Sequence, residues 1–123
     1  MPSLHAARLL APALILSPLL SACVAGPANP SSARSAELAN LVSRSVACRA
    51  GSPRANTLER FLAAEKAQGA TPEQIASARS TYLTVSEANA VNQSVRPEPC
   101  TAEERAELKA RMAPVRAGEF GCL

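Results

Sequence analysis

The sequence predicts an all-α fold, a small up-down bundle of three to four helices, and three observations support this prediction. Beyond residue 32, apolar residues recur three and four positions apart, which is the spacing of one helix face. Two segments open with a threonine followed three residues later by Gln or Glu, as in a helix capping box. No segment alternates convincingly between apolar and polar residues, so we expect no sheet. A chain of 123 residues has room for one domain.

The composition argues against most kinds of catalytic site. The chain contains no Asp, and its only histidine is His5. A Ser-His-Asp or Cys-His arrangement, the imidazole ligands of catalytic metals and the Asp ligands of an EF-hand are therefore missing beyond the first residues. We predict a protein that is not an enzyme and holds no metal or cofactor. The net charge of +3 is mild and its basic residues are interspersed with Glu, so we expect no nucleic-acid partner.

Residues 1–22 have the organisation of a cleaved leader. A short basic start is followed by twelve mostly apolar residues, 9–20, interrupted by Pro12 and Pro18. A membrane-spanning helix needs about 20 apolar residues, whereas twelve matches the apolar region of a secretory signal peptide. The two prolines also argue against a buried N-terminal helix. We therefore predict that residues 1–22 are removed.

The leader ends in Leu20-Ser21-Ala22-Cys23, which resembles the lipobox of bacterial lipoproteins. The resemblance implies cleavage between Ala22 and Cys23 and attachment of acyl chains to Cys23, which becomes the first mature residue. Two or more acyl chains would anchor the protein stably in a membrane. In that family an Asp after the cysteine retains the protein in the inner membrane. Val24 occupies this place, which implies the periplasmic face of the outer membrane in a Gram-negative host.

An ordinary signal peptide cut after Ala25 is the alternative to lipidation, since Cys23-Val24-Ala25 also offers small residues before a cleavage point. In either case the residues that follow are rich in Pro, Ser, Gly and Ala and lack periodicity. We predict that residues 23–32 form a flexible tether to a helical domain spanning residues 33–117.

The first predicted helix covers residues 33–49 and ends before Gly51 and Pro53. Its inward face carries four aliphatic residues at helical spacing: Leu38, Leu41, Val42 and Val46. The second covers residues 57–68, with Asn56 and Glu59 as a variant capping box and Gly69 as the residue that ends it. Its inward residues are Leu58, Phe61 and Leu62.

The third predicted helix has the clearest start signal, Thr71-Pro72-Glu73-Gln74. The threonine can cap, proline suits the first helical position, and Gln74 can complete the capping box. We expect the helix to end before Pro97. Its predicted inward residues are Ile75, Ala78, Tyr82, Val85 and Asn89. Tyr82 is interpreted as a core residue with its hydroxyl at the rim.

The fourth predicted helix opens with a second capping box, Thr101 to Glu104, and buries Leu108 and Met112. Pro114 should end or kink it, and residues 118–123 form a C-terminal tail. Three glutamates lie in its first turns: Glu103, Glu104 and Glu107. They are interpreted as compensation of the helix dipole, with a cation- or peptide-binding edge as the alternative.

Three cysteines remain once Cys23 is assigned to lipidation. In an up-down-up-down arrangement the end of the first helix, at Cys48, and the start of the fourth, at Cys100, lie at the same pole. We therefore predict a Cys48–Cys100 disulfide, which persists in an oxidising compartment. Cys122 would lie near the opposite pole, either free or paired between molecules. The alternative for all three is a reduced, buried state.

These predictions together indicate a small non-enzymatic envelope lipoprotein with a structural or protein-binding role. Its expected partners are the membrane, through Cys23, and another envelope protein. A second hypothesis is a periplasmic stress chaperone or inhibitor. It follows from a resemblance in outline to small helical acid chaperones, in which two cysteines about 50 residues apart bracket helices. An enzyme relying on Glu, Tyr or Cys122 is a third.

Overall fold

The structure of the protein, a computed structural model, describes residues 30–123. Over that range the chain forms α-helices and no strand, which confirms the predicted all-α class. The helices are α1 Ser31–Ala47, α2 Thr57–Ala67, α3 Pro72–Val95 and α4 Ala102–Ala117. The predicted leader, and the tether up to residue 29, lie outside the described residues.

Helix α1 lies at the centre of the bundle, between α3 on one side and α4 on the other. Its pairing with α3 is parallel, since the numbers of the paired residues rise together. Ser35 Oγ donates to the Ala78 carbonyl (2.5 Å), and further along Asn89 Nδ2 donates to Asn40 Oδ1 (2.9 Å). Helix α4 runs the opposite way, because its start lies beside the end of α1. These are the directions that an up-down bundle gives to its first, third and fourth helices.

Residues 49–56 return the chain alongside α4 without forming a helix. At one end Arg105 Nε donates to the Cys48 carbonyl (2.9 Å), and at the other Arg54 Nε donates to the Arg116 carbonyl (2.8 Å). The segment therefore follows most of the length of α4. It brings the start of α2 to the pole at which α1 begins.

At that pole, α2 and the C-terminal residues close over the first turn of α1. Arg34 Nε donates to Glu65 Oε1 of α2 (2.9 Å), and Arg34 Nη2 donates to the Phe120 carbonyl (2.7 Å). The rings of Phe61 and Phe120 meet edge to face, with centroids 5.5 Å apart. Phe120 is only 5% exposed, so residues 118–123 fold back onto the core.

The buried stripe of α1 is polar at three of its positions. Leu38, Leu41 and Val42 are buried as predicted, whereas Val46 is 50% exposed and its predicted inward position is wrong. The stripe instead steps by three or four residues through Ser31, Ser35, Leu38, Val42 and Ser45. At one of these serines, Ser35, the side chain lies against α3 and its hydroxyl is satisfied by the α3 backbone.

The predicted capping box is complete at the start of α3 and only half formed at the start of α4. The Thr71–Gln74 box is complete, with side chain and backbone bonded in both directions at 3.2 and 2.8 Å. Thr101 Oγ1 likewise accepts from the Glu104 amide, but the Glu104 side chain binds Arg44 instead of closing the box.

The predicted capping box at the start of α2 is wrong. Asn56 precedes the helix but makes no side-chain cap bond. The Glu59 carboxylate, which would complete the box, instead accepts two hydrogen bonds from Arg79 of α3, at 2.5 and 2.9 Å. A bidentate pair with arginine is stronger than a neutral cap bond, so Glu59 joins α2 to α3.

Helix α4 continues past Pro114, so the predicted alternative in which Pro114 ends the helix is wrong. The helix extends to Ala117 and is followed by Gly118, which has a left-handed backbone (φ 83°). Proline costs the helix one backbone hydrogen bond. The last turn nevertheless buries Val115, which is 3% exposed, against the core. The Glu119 amide bonds back to the Pro114 carbonyl (2.9 Å) and closes the helix end.

Candidate functional site

The pole at which α1 ends and α4 begins contains the predicted disulfide. Cys48 and Cys100 are bonded, with 5.7 Å between their Cα atoms, across 52 residues of sequence. Cys48 is buried, and Cys100 is partly buried against the core. The prediction that these two cysteines pair is confirmed. The bridge fixes the start of α4, and the loop that precedes it, to the end of α1.

The third described cysteine, Cys122, lies near the opposite pole, beside a shallow depression that it forms with Leu41 and Leu123. Among residues 30–123 there is no free thiol. The alternative of a free Cys122 is therefore wrong, as is that of three reduced cysteines.

At the same pole, Arg44 of α1 forms an ion pair and hydrogen bonds with α4 and the loop before it. Its guanidinium donates to both carboxylate oxygens of Glu104, at 2.6 and 2.9 Å, and to the carbonyls of Glu98 and Pro99, at 3.4 and 3.3 Å. The hydrogen bonds from Arg44 lower the pKa of Glu104, and those to Glu104 raise the pKa of Arg44. Arg44 thus organises the loop before α4 as well as its first turn.

We expect Glu104→Gln to destabilise the protein at pH 7 and to have no effect in strong acid. The folded-state pKa of Glu104 lies below its ordinary value of about 4.3. The ion pair therefore stabilises the fold above that ordinary value, and this stabilisation is lost as the pH falls through the folded pKa. Urea titrations of both proteins at pH 7, 5, 4 and 3 measure the difference.

The matched control for this prediction is Glu103→Gln, which removes the neighbouring charge from the same helix turn but breaks no ion pair of the described residues. Glu59, whose pKa Arg79 also lowers, contributes equally to every variant. A difference between Glu104→Gln and wild type that persisted unchanged at pH 3 would contradict the role assigned to the ion pair.

Three potential metal ligands lie within 4.8 Å of one another at this pole: Cys48, Cys100 and Glu104. The two sulfurs are bonded to each other, and the carboxylate is held by Arg44. In this oxidised state the cluster offers no thiolate, which is the form in which cysteine ligates a metal. The three residues instead link the end of α1 to the start of α4 through a disulfide and an ion pair.

A polar groove of about 580 Å³ runs from the middle of α1 to this pole, between α1 and α3. Four carboxamide side chains line it: Asn40, Asn89, Asn92 and Gln93. The hydrogen bond between Asn40 and Asn89 spans the two helices. Arg44 and Arg96 lie at the end near the disulfide, with Val95 and Glu98 beside them.

The helical spacing of α3 predicted a position for only one of these carboxamides, Asn89, which was expected in the core. The other three carried no prediction. Residues 30–123 contain seven carboxamides. Asn56, Gln68 and Gln74 lie at helix ends, where such residues are common. The remaining four all line the groove.

Tyr82, the one tyrosine, is half-buried and packs against the core. Burial raises the pKa of its phenol, and a hydrogen bond with Ser86 partly offsets this effect. Ala22 and Cys23, the predicted cleavage and lipidation residues, lie outside the described part of the chain. Among the helices of residues 30–123, none has both the length and the hydropathy needed to cross a membrane.

Comparison with known proteins yields no match to a family model, to a curated protein or to a solved structure.

Proposed function

We propose that the protein is a small bacterial envelope lipoprotein whose helical body is a non-enzymatic protein-binding module. Acyl chains on Cys23 hold it on the periplasmic face of the outer membrane. The observation that carries the proposal is the sequence Leu20-Ser21-Ala22-Cys23 at the end of a twelve-residue apolar run. Each acyl chain contributes about 0.8 kcal/mol per buried CH₂, so two or three chains anchor a protein stably.

The disulfide supports a location outside the cytoplasm. Cys48 and Cys100 are bonded to each other, and structural disulfides persist chiefly in oxidising compartments such as the periplasm. In the cytoplasm of most organisms the same cysteines would be kept reduced. A secreted or lipid-anchored protein is therefore consistent with the bridge.

The groove supports binding rather than catalysis as the role of the body. Its lining is dominated by carboxamides, Ser43 and two arginines, which donate and accept hydrogen bonds. General acid–base catalysis requires a group that exchanges protons, and the only carboxylate that lines the groove belongs to Glu98. The groove is thus equipped for recognition of a polar partner.

Lipidation is tested by expressing the full-length chain and its Cys23→Ala variant in a Gram-negative host. We expect the wild-type protein in the membrane fraction, without residues 1–22 and with the added mass of acyl chains on Cys23. The variant lacks the acceptor thiol, so it should carry no acyl mass and should keep residues 1–22. Ser21→Ala preserves a small residue before the cleavage point and is the matched control, expected to behave as wild type.

Intact mass under non-reducing conditions distinguishes the alternatives. A wild-type chain that begins at Gly26 without acyl groups would show ordinary secretion and refute the lipoprotein proposal. A Cys23 sulfur found in a disulfide would refute it as well, because one sulfur cannot hold both a lipid and a second cysteine.

A further inference from the structure

We propose that the groove between α1 and α3 binds a short, extended peptide segment that carries a carboxylate. Its four carboxamides pair with the peptide groups of the segment, and Arg96 pairs with the carboxylate. The inference rests on the proposed protein-binding role and specifies the kind of partner, but it does not depend on how the protein is anchored.

The carboxamides match a peptide backbone in their hydrogen-bonding groups. Each has an acceptor oxygen and an NH₂ donor, and each peptide group likewise has one acceptor and one donor. Asparagine is a poor former of helix interiors, yet Asn89 lies inside α3 and Asn92 lies in its last turn. Asn92 is exposed and makes no side-chain hydrogen bond within residues 30–123, so the helix itself does not require it.

The dimensions of the groove fit three residues of extended chain. It is lined from Asn40 to Ala47 on α1, and from Asn89 on α3 to Arg96, which directly follows that helix. Seven residues of helix span about 10 Å at 1.5 Å per residue, and an extended chain covers the same distance in about three residues at 3.3 Å each. The volume of about 580 Å³ is also in the range of small-ligand sites.

The charges at the end of the groove favour an acidic ligand. Arg44 is occupied by Glu104, whereas Arg96 makes no side-chain hydrogen bond or ion pair within the described residues. The one carboxylate that lines the groove belongs to Glu98, which is 3.8 Å from Arg44. Arg96 therefore offers an unused guanidinium for a carboxylate, and Val95, which is 72% exposed, offers apolar surface beside it.

A peptide explains this lining better than a glycan does. Sugar rings are usually held with one apolar face against an aromatic side chain. None of the aromatic residues lines the groove, and Phe61 and Phe120 are buried in the core. A glycan is therefore the competing ligand that the experiment includes.

The test is a ¹⁵N-NMR titration of the full-length chain, purified as the host produces it in detergent micelles. The probe is an equimolar library of acetylated tripeptide amides that end in Glu, compared with the same library ending in Gln and with N,N′-diacetylchitobiose. We expect the side-chain NH₂ signals of the four groove carboxamides to shift with the Glu library, whereas those of Asn56, Gln68 and Gln74 do not. Apparent affinity should be about two- to fivefold weaker for the Gln library, as for one exposed ion pair.

Two pairs of variants localise the binding. Arg96→Gln should abolish the difference between the two libraries, whereas Arg111→Gln makes the same charge change in the groove on the other side of α1 and should preserve it. Asn92→Ala should weaken binding of both libraries, and Gln68→Ala, at the far end of α2, should not. The side chains of all four residues are exposed and make no hydrogen bond or ion pair within residues 30–123, so unfolding is not expected. Circular dichroism of each variant verifies this.

The proposal is overturned if millimolar tripeptides leave the groove signals unmoved, or if the disaccharide shifts them and the tripeptides do not. Equal effects of Arg96→Gln and Arg111→Gln would overturn the role of Arg96. The outcome is separable from that of the lipidation test. Groove binding by a chain without acyl groups would refute only the anchor, and an acylated chain that binds no tripeptide would refute only the groove.

Discussion

Removing the disulfide with Cys48→Ala and Cys100→Ala together is expected to lower the free energy of unfolding by about 4 kcal/mol. The bridge closes a loop across 52 residues that contains both α2 and α3. Without it the unfolded chain gains the conformational freedom of that loop, and the folded state gains nothing in return. For a domain of this size the loss corresponds to a fall in melting temperature of about 15–30 °C.

The measurement is thermal and urea unfolding followed by circular dichroism, without reductant. Reductant added to the double variant reports the effect of any other cysteine. Subtracting that effect from the effect of reductant on wild type isolates the Cys48–Cys100 bridge. A loss below about 1 kcal/mol would mean that the unfolded chain keeps residual contacts between the α1 and α4 segments, which restrict it even without the disulfide.

Phe61→Ala is expected to cost about 3–5 kcal/mol, the usual range for truncating a fully buried aromatic residue. The Phe61 side chain is completely inaccessible and packs edge to face on Phe120. The variant loses the apolar burial of the ring and leaves a cavity beneath both α2 and the C-terminal residues. Since Phe120 also loses its aromatic partner, we expect residues 118–123 to detach more readily from the core.

Urea unfolding provides the free-energy change, and limited proteolysis reports the release of the C-terminal residues. Leu83→Ala is the matched control, because Leu83 is apolar but 55% exposed on α3. Its effect should stay within about 0.5 kcal/mol. If both variants lost the same stability, the packing of α2 against the C-terminal residues would not be a major part of the core.

The elements that sequence reasoning identified well are those specified by local chemistry. Thr71, Pro72 and Gln74 each satisfy a distinct requirement of a helix start, and together they allowed one interpretation. The pairing of Cys48 with Cys100 followed from helix direction alone. The capping box depends on interactions within one helix turn. The disulfide follows from the up-down order of the helices, which is the simplest arrangement of a bundle.

The errors arose where distant residues compete with local ones. Glu59 was free to cap α2, but Arg79, twenty positions away, offers it a bidentate pair. Pro114 weakens its own helix turn, yet burial of Val115 keeps the turn helical. Local patterns do not record such tertiary contacts, so these outcomes could not be predicted.

The groove escaped prediction for a different reason. The predicted inward stripe of α1 contains only apolar residues, so Ser35, which bonds to the α3 backbone, was not recognised as a point of contact between the two helices. Without that contact, nothing places Asn40 beside Asn89. Four of the seven carboxamides line the groove, but Asn92 and Gln93 lie in the last turn of α3, so their common location with Asn40 and Asn89 needed the helix pairing.

The chain enters α1 at Pro30, at the pole opposite the disulfide and the arginine end of the groove. From Ser31 to Arg44 the helix rises about 20 Å. An attachment upstream of Pro30 would therefore act on the pole of the body that lies opposite Arg44 and Arg96. A force between that attachment and a bound peptide would act along the length of α1. Because the Cys48–Cys100 disulfide joins the two ends of the segment between them, residues 49–99 could not be extended by such a force.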